Sequence, residues 1–310
     1  MNSKTKAVID IGTNTFHLLI AEITAEATIQ VIYKKTIAVK LGEGGVDKGF
    51  ITDAAYQRGI NALLDFRTQL DKFNIQKVKA TATAAVRDAS NGKDFMAEAK
   101  EKANIQIEII DGLKEAEYIY VGAKAAGTLG HEKALIMDIG GGSVEFILCN
   151  QREIFWKNSF RLGAARLLAE YYTNDEAIKE SVLKAIHQRF QNELVELFQV
   201  IQEHQPTELI GTAGSFDSYA EMMSLRTPQP FNHDTQKSYH FNLEDFNQLI
   251  TEIISSSHQQ RAAMKGLIPL RVDMILMASM LTQFIIERGN IQHVTTCTYS
   301  LKEGLLFSDN

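Results

Sequence analysis

Two short stretches with the same layout, one in each half of the chain, constrain the fold more than any other feature. The stretch 136–146 (IMDIGGGSVEF) predicts an apolar strand, a glycine turn and a second strand, and the stretch 8–16 (VIDIGTNTF) repeats this layout. Three pairs of positions share one offset (138 − 10 = 128): Asp10 with Asp138, Gly12 with Gly140, and Thr15 with Ser143. Internal repetition is a stronger signal than either motif alone, and it predicts two related lobes that face a cleft.

The glycine turns indicate a chemistry of their own. Glycine is used where the backbone bends sharply or approaches a ligand closely, and the successive amides of Gly140, Gly141 and Gly142 can converge on phosphate oxygens. Ser143 adds a hydroxyl donor, and the carboxylate of Asp138 at the strand end can hold a divalent metal directly or through water. From the residues alone, two other interpretations stay open: a tight hairpin between core strands, and a chance repeat in an ordinary α/β protein.

Composition disfavours several classes of protein. At 310 residues two domains are expected, and a net charge of −6 disfavours nucleic-acid binding, which usually needs a basic face. The apolar run 274–281 is too short to span a bilayer, and the N-terminal residues lack the apolar core of a signal peptide. Cys149 and Cys297 are the only cysteines, and no histidine pair has zinc-ligand spacing. We therefore expect a cytoplasmic protein with reduced thiols, no membrane partner and no zinc site.

The spacing of apolar residues predicts the elements around the two turns. Alternation predicts strands in a meander over 8–40 and further strands over 78–83, 105–110 and 294–298. Helical spacing predicts helices over 52–74, 113–126, 178–203, 243–257 and 268–288. Ser300 and Glu303 form a capping box for a last helix. These elements predict an α/β chain without a flexible linker between its lobes.

Three further features each have a functional and a structural interpretation. Arg87 lies just beyond a predicted strand, where it could clamp a phosphate or be a solvated cation at a helix start. Glu115 lies in the first turn of a predicted helix, where the helix dipole favours an acid whatever its role. The turn 211–215 (GTAGS) could present amides to an anion at a helix N-terminus, or it could serve packing alone.

Taken together, the motifs resemble the exopolyphosphatase and guanosine pentaphosphate phosphohydrolase (Ppx/GppA) family over nearly the whole chain. The matching stretches are DIGTNTFHL at 10–18, LGEG at 41–44, ATAAVR at 82–87, GLKEA at 112–116 and DIGGGSVE at 138–145. Weaker matches follow at 162–164, 211–215, 271–273 and 301–305. The resemblance implies two actin-like (ribonuclease H-like) α/β lobes of the ASKHA superfold flanking a cleft. They would span 1–126 and 127–299, with the C-terminal helix 300–310 packed back on the first lobe.

The resemblance also implies roles for individual residues. Glu115 stands where the family keeps the general base that aligns the attacking water, and Glu145 is expected to act with it. A magnesium ion (or manganese) would be held by Asp10, Asp138 and Glu145. The terminal phosphates would be bound by Gly12, Thr13, Asn14, Thr15, Arg87, Gly140, Gly141, Gly142 and Ser143. A nucleoside or anion would be held at Gly211, Thr212, Gly214 and Ser215.

The activity that the resemblance implies is magnesium-dependent hydrolysis of the terminal phosphoanhydride of inorganic polyphosphate, with release of orthophosphate. Two alternatives stay open: removal of the terminal 5′-phosphate of guanosine pentaphosphate, and a nucleotide-binding sensor of the same fold without turnover. An actin-like kinase is disfavoured, because no acceptor-activating aspartate is evident beyond the metal carboxylates. A homodimer is left open as the assembly.

Two departures from the family pattern bear on the substrate. Lys114 replaces the acid that usually precedes Glu115, so it either adds positive charge near the cleft or faces solvent. The sequence ends at Asn310 without the C-terminal helical domain that larger members carry. We therefore expect only a short cationic track for a polyanion. Its candidates are Lys34, Lys35, Lys40, Arg87 and Lys114.

Overall fold

The first half of the chain forms a five-stranded sheet. The computed structural model describes residues 5–25, 28–172, 176–227, 230–233 and 235–308. The strands of the first sheet are β1 (Thr5–Ile11), β2 (Thr15–Ile23), β3 (Ile29–Ala38), β4 (Lys79–Ala82) and β5 (Ile107–Ile109). The first three form the predicted antiparallel meander, and β4 and β5 pair in parallel beside β1, which gives the order β3-β2-β1-β4-β5.

The second half builds a sheet on the same plan. Its strands are β6 (Ala134–Ile139), β7 (Val144–Cys149), β8 (Ile154–Phe160), β9 (Glu208–Thr212), β10 (Ser238–Phe241) and β11 (His293–Cys297). Strands β6, β7 and β8 form an antiparallel meander, β9 pairs in parallel with β6, and β11 pairs in parallel with β9. The repeated hairpin is therefore one part of a repeated sheet, to which the second half adds β10 as an antiparallel edge strand.

Twelve helices lie in the described part of the chain. They are α1 (Asp53–Lys72), α2 (Ala84–Arg87), α3 (Gly92–Ala103), α4 (Gly112–Ala126), α5 (Ala164–Tyr171), α6 (Glu180–Glu193), α7 (Val195–His204), α8 (Ala213–Ser224), α9 (Leu243–Ser255), α10 (His258–Ala262), α11 (Met274–Gly289) and α12 (Leu301–Phe307). No helix among these residues is long and apolar enough to cross a membrane.

Two helix predictions are corrected by the structure. The single helix predicted over 178–203 is two helices, because Leu194 leaves the helical backbone (ψ 19°) while its side chain stays fully buried. The helix predicted from residue 268 begins only at Met274, since Pro269 opens a separate 3-10 turn over Pro269–Arg271. The sequence analysis also left α3, α10, β8 and β10 without an assignment.

Three apolar clusters organise the molecule. One fills the first lobe between its sheet and helices α1 and α3, and a second fills the second lobe around α11. The third joins α4 and α12 to residues of both sheets. Helix α12 lies so close to α4 that a Cβ at Gly304 would come within 1.8 Å of the Tyr118 carbonyl oxygen. The last helix therefore docks between the sheets, and the lobe division at 126/127 stays a proposal, as does the extent of that helix, since residues 309–310 lie outside the described part.

Candidate active site

The two glycine turns face each other across a cavity of about 120 Å³. Each turn closes in the same way, since the Gly12 amide donates to the Thr15 carbonyl (3.1 Å) and the Gly140 amide donates to the Ser143 carbonyl (3.0 Å). A Cβ at Gly142 would lie 2.6 Å from the Ala84 Cβ, so the two lobes meet here only because this residue is glycine. All eight residues predicted to bind phosphate from the turns line this cavity: Gly12, Thr13, Asn14, Thr15, Gly140, Gly141, Gly142 and Ser143.

The first turn offers a hydrogen-bond donor that has no protein partner. The side-chain Nδ2 of Asn14 is buried in the cavity wall and makes no hydrogen bond. A buried donor without a partner is costly, and a ligand oxygen would satisfy it. His17 steadies the same turn, because its two ring nitrogens lie 2.9 Å from the hydroxyls of Thr15 and Thr36. Burial, with the nearby cations Lys302 and Arg271, lowers the pKa of His17 to about 3, so the ring is neutral.

Four carboxylates line the space between the turns, those of Asp10, Glu115, Asp138 and Asp217. Asp10 and Asp138 end equivalent strands, and burial raises the pKa of Asp10 to about 7 and that of Asp138 to about 6. The Thr212 hydroxyl donates to Asp138 Oδ2 (2.7 Å), which fixes that side chain and favours its charged form. Glu115 also lines the cavity, and its pKa is raised well above the usual value, first by burial and then by repulsion from Glu145, Asp10 and Asp138.

Glu145 lies behind this wall and not in it. Its side chain is fully buried, and its Oε1 accepts a hydrogen bond from the Ser159 hydroxyl (2.6 Å). Its Oε2 and the Oε2 of Glu115 are both buried without a hydrogen-bond partner. Burial, followed by repulsion from Asp138, raises the pKa of Glu145 to about 7. Two acids of this kind with open oxygens are a typical arrangement for handling a water molecule and its proton.

The predicted set of three metal ligands does not form a closed cage. No three Asp, Glu, His or Cys residues of the described chain converge closely enough to enclose one metal ion. The Thr212 hydroxyl donates to Asp138, and the Ser159 hydroxyl donates to Glu145, so each carboxylate already has a protein hydrogen bond. The cavity nevertheless fits magnesium, which keeps several waters and usually takes one or two carboxylates together with substrate phosphates. Burial raises the pKa values of Asp10 and Asp138, and a bound cation would favour the charged forms of both groups.

Arg87 is placed differently from the predicted phosphate clamp. Its guanidinium donates to the Ile110 carbonyl (3.1 Å) and to Asp88 (3.3 Å), and it lies 3.8 Å from Glu115 Oε2. It does not line the cavity. In this position Arg87 favours the charged form of Glu115, so its direct role on phosphate stays a prediction.

The cations that do line the cavity were not assigned from the sequence. They are Lys302, from the start of α12, and Arg271, from the 3-10 turn before α11. Burial opposes the charge of Lys302, but Glu303, Asp217 and Asp10 raise its pKa overall. Both residues lie in stretches that carry the family resemblance, which was the available signal. The predicted track is not confirmed, since Lys35 pairs with Asp65 (2.6 Å) and Lys114 pairs with Glu117 (2.8 Å).

The turn at 211–215 divides into two parts. Gly211 and Thr212 belong to β9, and a Cβ at Gly211 would fall 2.0 Å from the Phe216 ring, so this glycine serves packing. Gly214 and Ser215 open α8 and line the cavity, with the Arg271 guanidinium lying directly over Gly214. Between them Ala213 holds a left-handed backbone (φ 65°), a strain that is typical of functional turns.

Replacing Gly211 by alanine tests this division. We expect the variant to lose roughly 1–3 kcal/mol in the free energy of unfolding, because the added methyl overpacks against Phe216. The matched control is Gly130→Ala, where nothing lies within 4 Å of the added atom. Thermal unfolding measures the difference between the two variants. A change in the Michaelis constant without loss of stability in Gly211→Ala would show that this residue contacts a ligand after all.

Comparison with known proteins gives this cavity a context. The sequence model of the Ppx/GppA phosphatase family matches residues 19–310. The chain belongs to this family. A solved exopolyphosphatase from Cytophaga hutchinsonii is 40% identical, with a TM-score of 0.94 over 98% of this chain and 97% of that one. A Ppx/GppA protein from Aquifex aeolicus, 19% identical, shares the fold with a TM-score of 0.79 over 98% of this chain and 97% of its own.

The name of one curated relative describes hydrolysis of a guanosine nucleotide. It is the guanosine-5′-triphosphate,3′-diphosphate pyrophosphatase of Aeromonas salmonicida, which is 28% identical over 99% of this chain. The chain spans 59% of the length of that relative. The predicted family is confirmed, as is the predicted α/β fold with two sheets, and as a Ppx/GppA phosphatase the chain is a hydrolase, as predicted.

Proposed function

We propose that this Ppx/GppA phosphatase is an exopolyphosphatase, which hydrolyses the terminal phosphoanhydride of inorganic polyphosphate and releases orthophosphate. The observation that carries the proposal is the buried Oε2 of Glu115, which makes no hydrogen bond, beside a cavity that is also lined by two glycine turns suited to phosphate. The 40% identical relative from Cytophaga hutchinsonii, named an exopolyphosphatase, supports the same substrate class. The small volume of the cavity suits one or two terminal phosphates and leaves the rest of a chain outside.

The two turns would hold the terminal phosphate. Backbone amides at Gly12 and in the run 140–142 would surround its oxygens, and the unpartnered Asn14 side chain would donate one further hydrogen bond. Lys302 and Arg271 would balance the charge of the phosphate from the side of the second lobe. Phosphoryl transfer depends mainly on such positioning and charge neutralisation, since the protein does little covalent chemistry.

Glu115 would orient the attacking water and accept its proton. The raised pKa of Glu115 makes it a stronger base than an ordinary carboxylate once it is ionised. Arg87, 3.8 Å away, favours the charged form of Glu115, and Glu145 lies behind Glu115 with a second oxygen that makes no hydrogen bond. We assign Glu115 as the catalytic base and Glu145 as the group that positions the water with it.

The proposed cofactor is magnesium, or manganese in its place. Asp10 and Asp138 would hold it from the ends of β1 and β6, and Glu145 would contribute from behind through water. A bound divalent cation supplies charge neutralisation on the phosphoryl oxygens. The chain's own contribution is to place these carboxylates opposite the two turns.

A second candidate substrate is guanosine pentaphosphate. It is favoured by the name of the Aeromonas salmonicida relative and by Gly214 and Ser215, which line one end of the cavity where a nucleoside could lie. The chemistry at the terminal phosphate would be the same. A sensor without turnover is the third candidate, and an otherwise complete catalytic site argues against it.

Phosphate release from the two substrates, measured side by side with and without magnesium, tests the proposal. We expect orthophosphate from polyphosphate in the presence of magnesium, at a higher kcat/KM than from guanosine pentaphosphate, and little release in a chelator. Protein with Glu115→Gln, purified identically, controls for contaminating phosphatases. Release from guanosine pentaphosphate alone would favour the second candidate, and binding of either compound without release would favour the sensor.

Two further proposals concern the compartment and the assembly of the protein. Cys149 and Cys297 are both buried free thiols, the state that a reducing compartment maintains, which supports a cytoplasmic location. The homodimer stays a proposal, which the molecular mass in solution would test.

A further inference from the structure

A cluster of three arginines surrounds one carboxylate beside the cavity. Asp88 follows α2 in the first lobe, and its Oδ1 lies 3.3 Å from Nε of Arg87. Its Oδ2 lies 3.3 Å from a terminal nitrogen of Arg161 and 3.2 Å from one of Arg166. Arg161 directly follows β8, and Arg166 lies in the first turn of α5, so both come from the second lobe. We call these four residues the arginine cluster.

Positive charge exceeds negative charge within the arginine cluster. Three guanidinium groups share the Asp88 carboxylate, and the other acids near Arg87 are Glu115 and Glu145, whose raised pKa values weaken their charge. Burial, and then the neighbouring Arg161, lower the pKa of Arg166, while Asp88 and the exposed Asp47 act in the opposite direction. An added anion would therefore be favoured here.

The arginines differ in how free they are to bind. Arg166 is buried and fully engaged, since it also donates to the carbonyls of Gly142 (3.1 Å) and Val46 (2.8 Å). Arg161 has 64% of its side chain exposed, and Asp88 is the ion-pair partner of its guanidinium among the described residues. Its remaining donors therefore point toward solvent, where an incoming oxyanion can reach them.

The position of the arginine cluster relates it to the proposed reaction. Arg166 holds the backbone of the second glycine turn at Gly142, and Arg87 contacts the base Glu115. The cluster does not line the cavity, so an anion bound at Arg161 would lie outside the cradle for the terminal phosphate but adjacent to it. A polyphosphate chain that extends out of the cavity needs a cationic group outside it, because the phosphates beyond the terminal ones also carry negative charge.

We propose that the arginine cluster is a second phosphate site, which binds an internal phosphate of the polyphosphate chain through Arg161, in competition with Asp88. This inference rests on the proposed function, because it assigns a further subsite for the same substrate. In the absence of substrate, the Asp88 carboxylate occupies the position that a phosphate oxygen would take and keeps the arginine side chains in place.

Arg161→Gln is the first test, with Arg152→Gln as the matched control. Arg152 is an exposed arginine in the β7–β8 turn, at the opposite end of β8 from Arg161. For chains of tens of phosphates we expect Arg161→Gln to raise KM roughly three- to tenfold with kcat unchanged. The slope of log(kcat/KM) against log salt should flatten by about one unit, since one phosphate contact is lost. Tripolyphosphate, too short to reach Arg161, should show no change.

Asp88→Asn gives a result of the opposite sign. If Asp88 competes with the substrate, its removal should lower KM for long polyphosphate, by roughly the same factor. If the cluster is only an ion-pair connection between the lobes, Asp88→Asn should raise KM and lower the melting temperature, and that result would overturn the proposal. Equal effects of Arg161→Gln on tripolyphosphate and long chains would also overturn it, as would an effect confined to guanosine pentaphosphate.

Direct binding separates this inference from the proposed function. In Glu115→Gln protein, titration with polyphosphate of defined length reports affinity without turnover. We expect Arg161→Gln in that background to weaken binding of long chains and the Arg152→Gln control to leave it unchanged. Absence of hydrolysis in the wild-type protein, with this binding pattern intact, would contradict the proposed enzyme but support the site. Hydrolysis without any length-dependent effect of Arg161→Gln would contradict the site alone.

Discussion

Replacement of Glu115 by glutamine is expected to lower kcat by roughly two to four orders of magnitude, the usual range for loss of a positioned general base. The amide keeps the size of the side chain but cannot accept a proton. Glu115 is buried beside the cavity with an unpartnered oxygen, and no other cavity-lining acid has Arg87 within 4 Å to favour its charged form. The fold should persist, because an uncharged group replaces one whose burial is unfavourable.

Rates, substrate binding and pH dependence check this expectation together. The matched control is Glu117→Gln, which removes an acid on the same helix that pairs with Lys114 and Lys157 on the surface. That variant should keep a near wild-type rate. In the wild-type protein the rate should rise with pH as Glu115 loses its proton, over a range above that of an ordinary carboxylate because its pKa is raised. A near wild-type rate in Glu115→Gln would mean that this residue only stabilises the helix start.

The pair of glycine turns that line the cavity could be predicted from the sequence because each turn depends on a local motif that is repeated. Eight residues of the two turns were assigned together, and all eight line one cavity. Their geometry follows from short-range rules: a strand, a glycine that approaches backbone closely, and a hydroxyl residue that closes the turn. The offset of 128 residues then placed the two turns in equivalent positions of two sheets with equivalent strand order.

The chemical difference between the two hairpins could not be predicted from the repeat. The same offset relates His17 to Glu145 (145 − 17 = 128), and each pairs in register with the aspartate of its own hairpin. His17 contacts the hydroxyls of Thr15 and Thr36, whereas Glu145 accepts a hydrogen bond from the Ser159 hydroxyl. One lobe therefore carries a neutral ring where the other carries an acid, so the equivalent positions can differ in chemistry.

Residues from distant segments were the ones that sequence reasoning missed. Lys302 reaches the cavity because α12 docks between the two sheets, and Arg271 reaches it because a 3-10 turn precedes α11. The local sequence pattern predicts neither contact. Around Lys302 that pattern is fully explained by the capping box of Ser300 and Glu303 at the start of α12. Arg87 was assigned by motif, but its contacts with Asp88 and the Ile110 carbonyl depend on packing between segments.

Replacement of Asp138 by asparagine should separate activity from stability. We expect roughly 10- to 100-fold more magnesium to be needed for the half-maximal rate, because one carboxylate facing the cavity loses its charge. In a chelator at pH 8 the variant should be more stable than the wild type, by on the order of 2 kcal/mol. The reason is that burial raises the folded-state pKa of Asp138 from 3.8 to about 6, so ionising it is unfavourable. Thr212 can still donate to the amide oxygen.

The sign of the stability effect follows from linkage. A carboxyl group with a raised pKa stabilises the folded state at low pH, and this contribution is lost as the pH rises through about 6. The gain from Asp138→Asn should therefore be large at pH 8 and small at pH 4. Magnesium should raise the melting temperature of the wild type and have much less effect on Asp138→Asn or Asp10→Asn. The matched control is Asp217→Asn, another acid that lines the cavity. Unchanged magnesium dependence of rate and of melting temperature in both test variants would refute a metal site between the two hairpins.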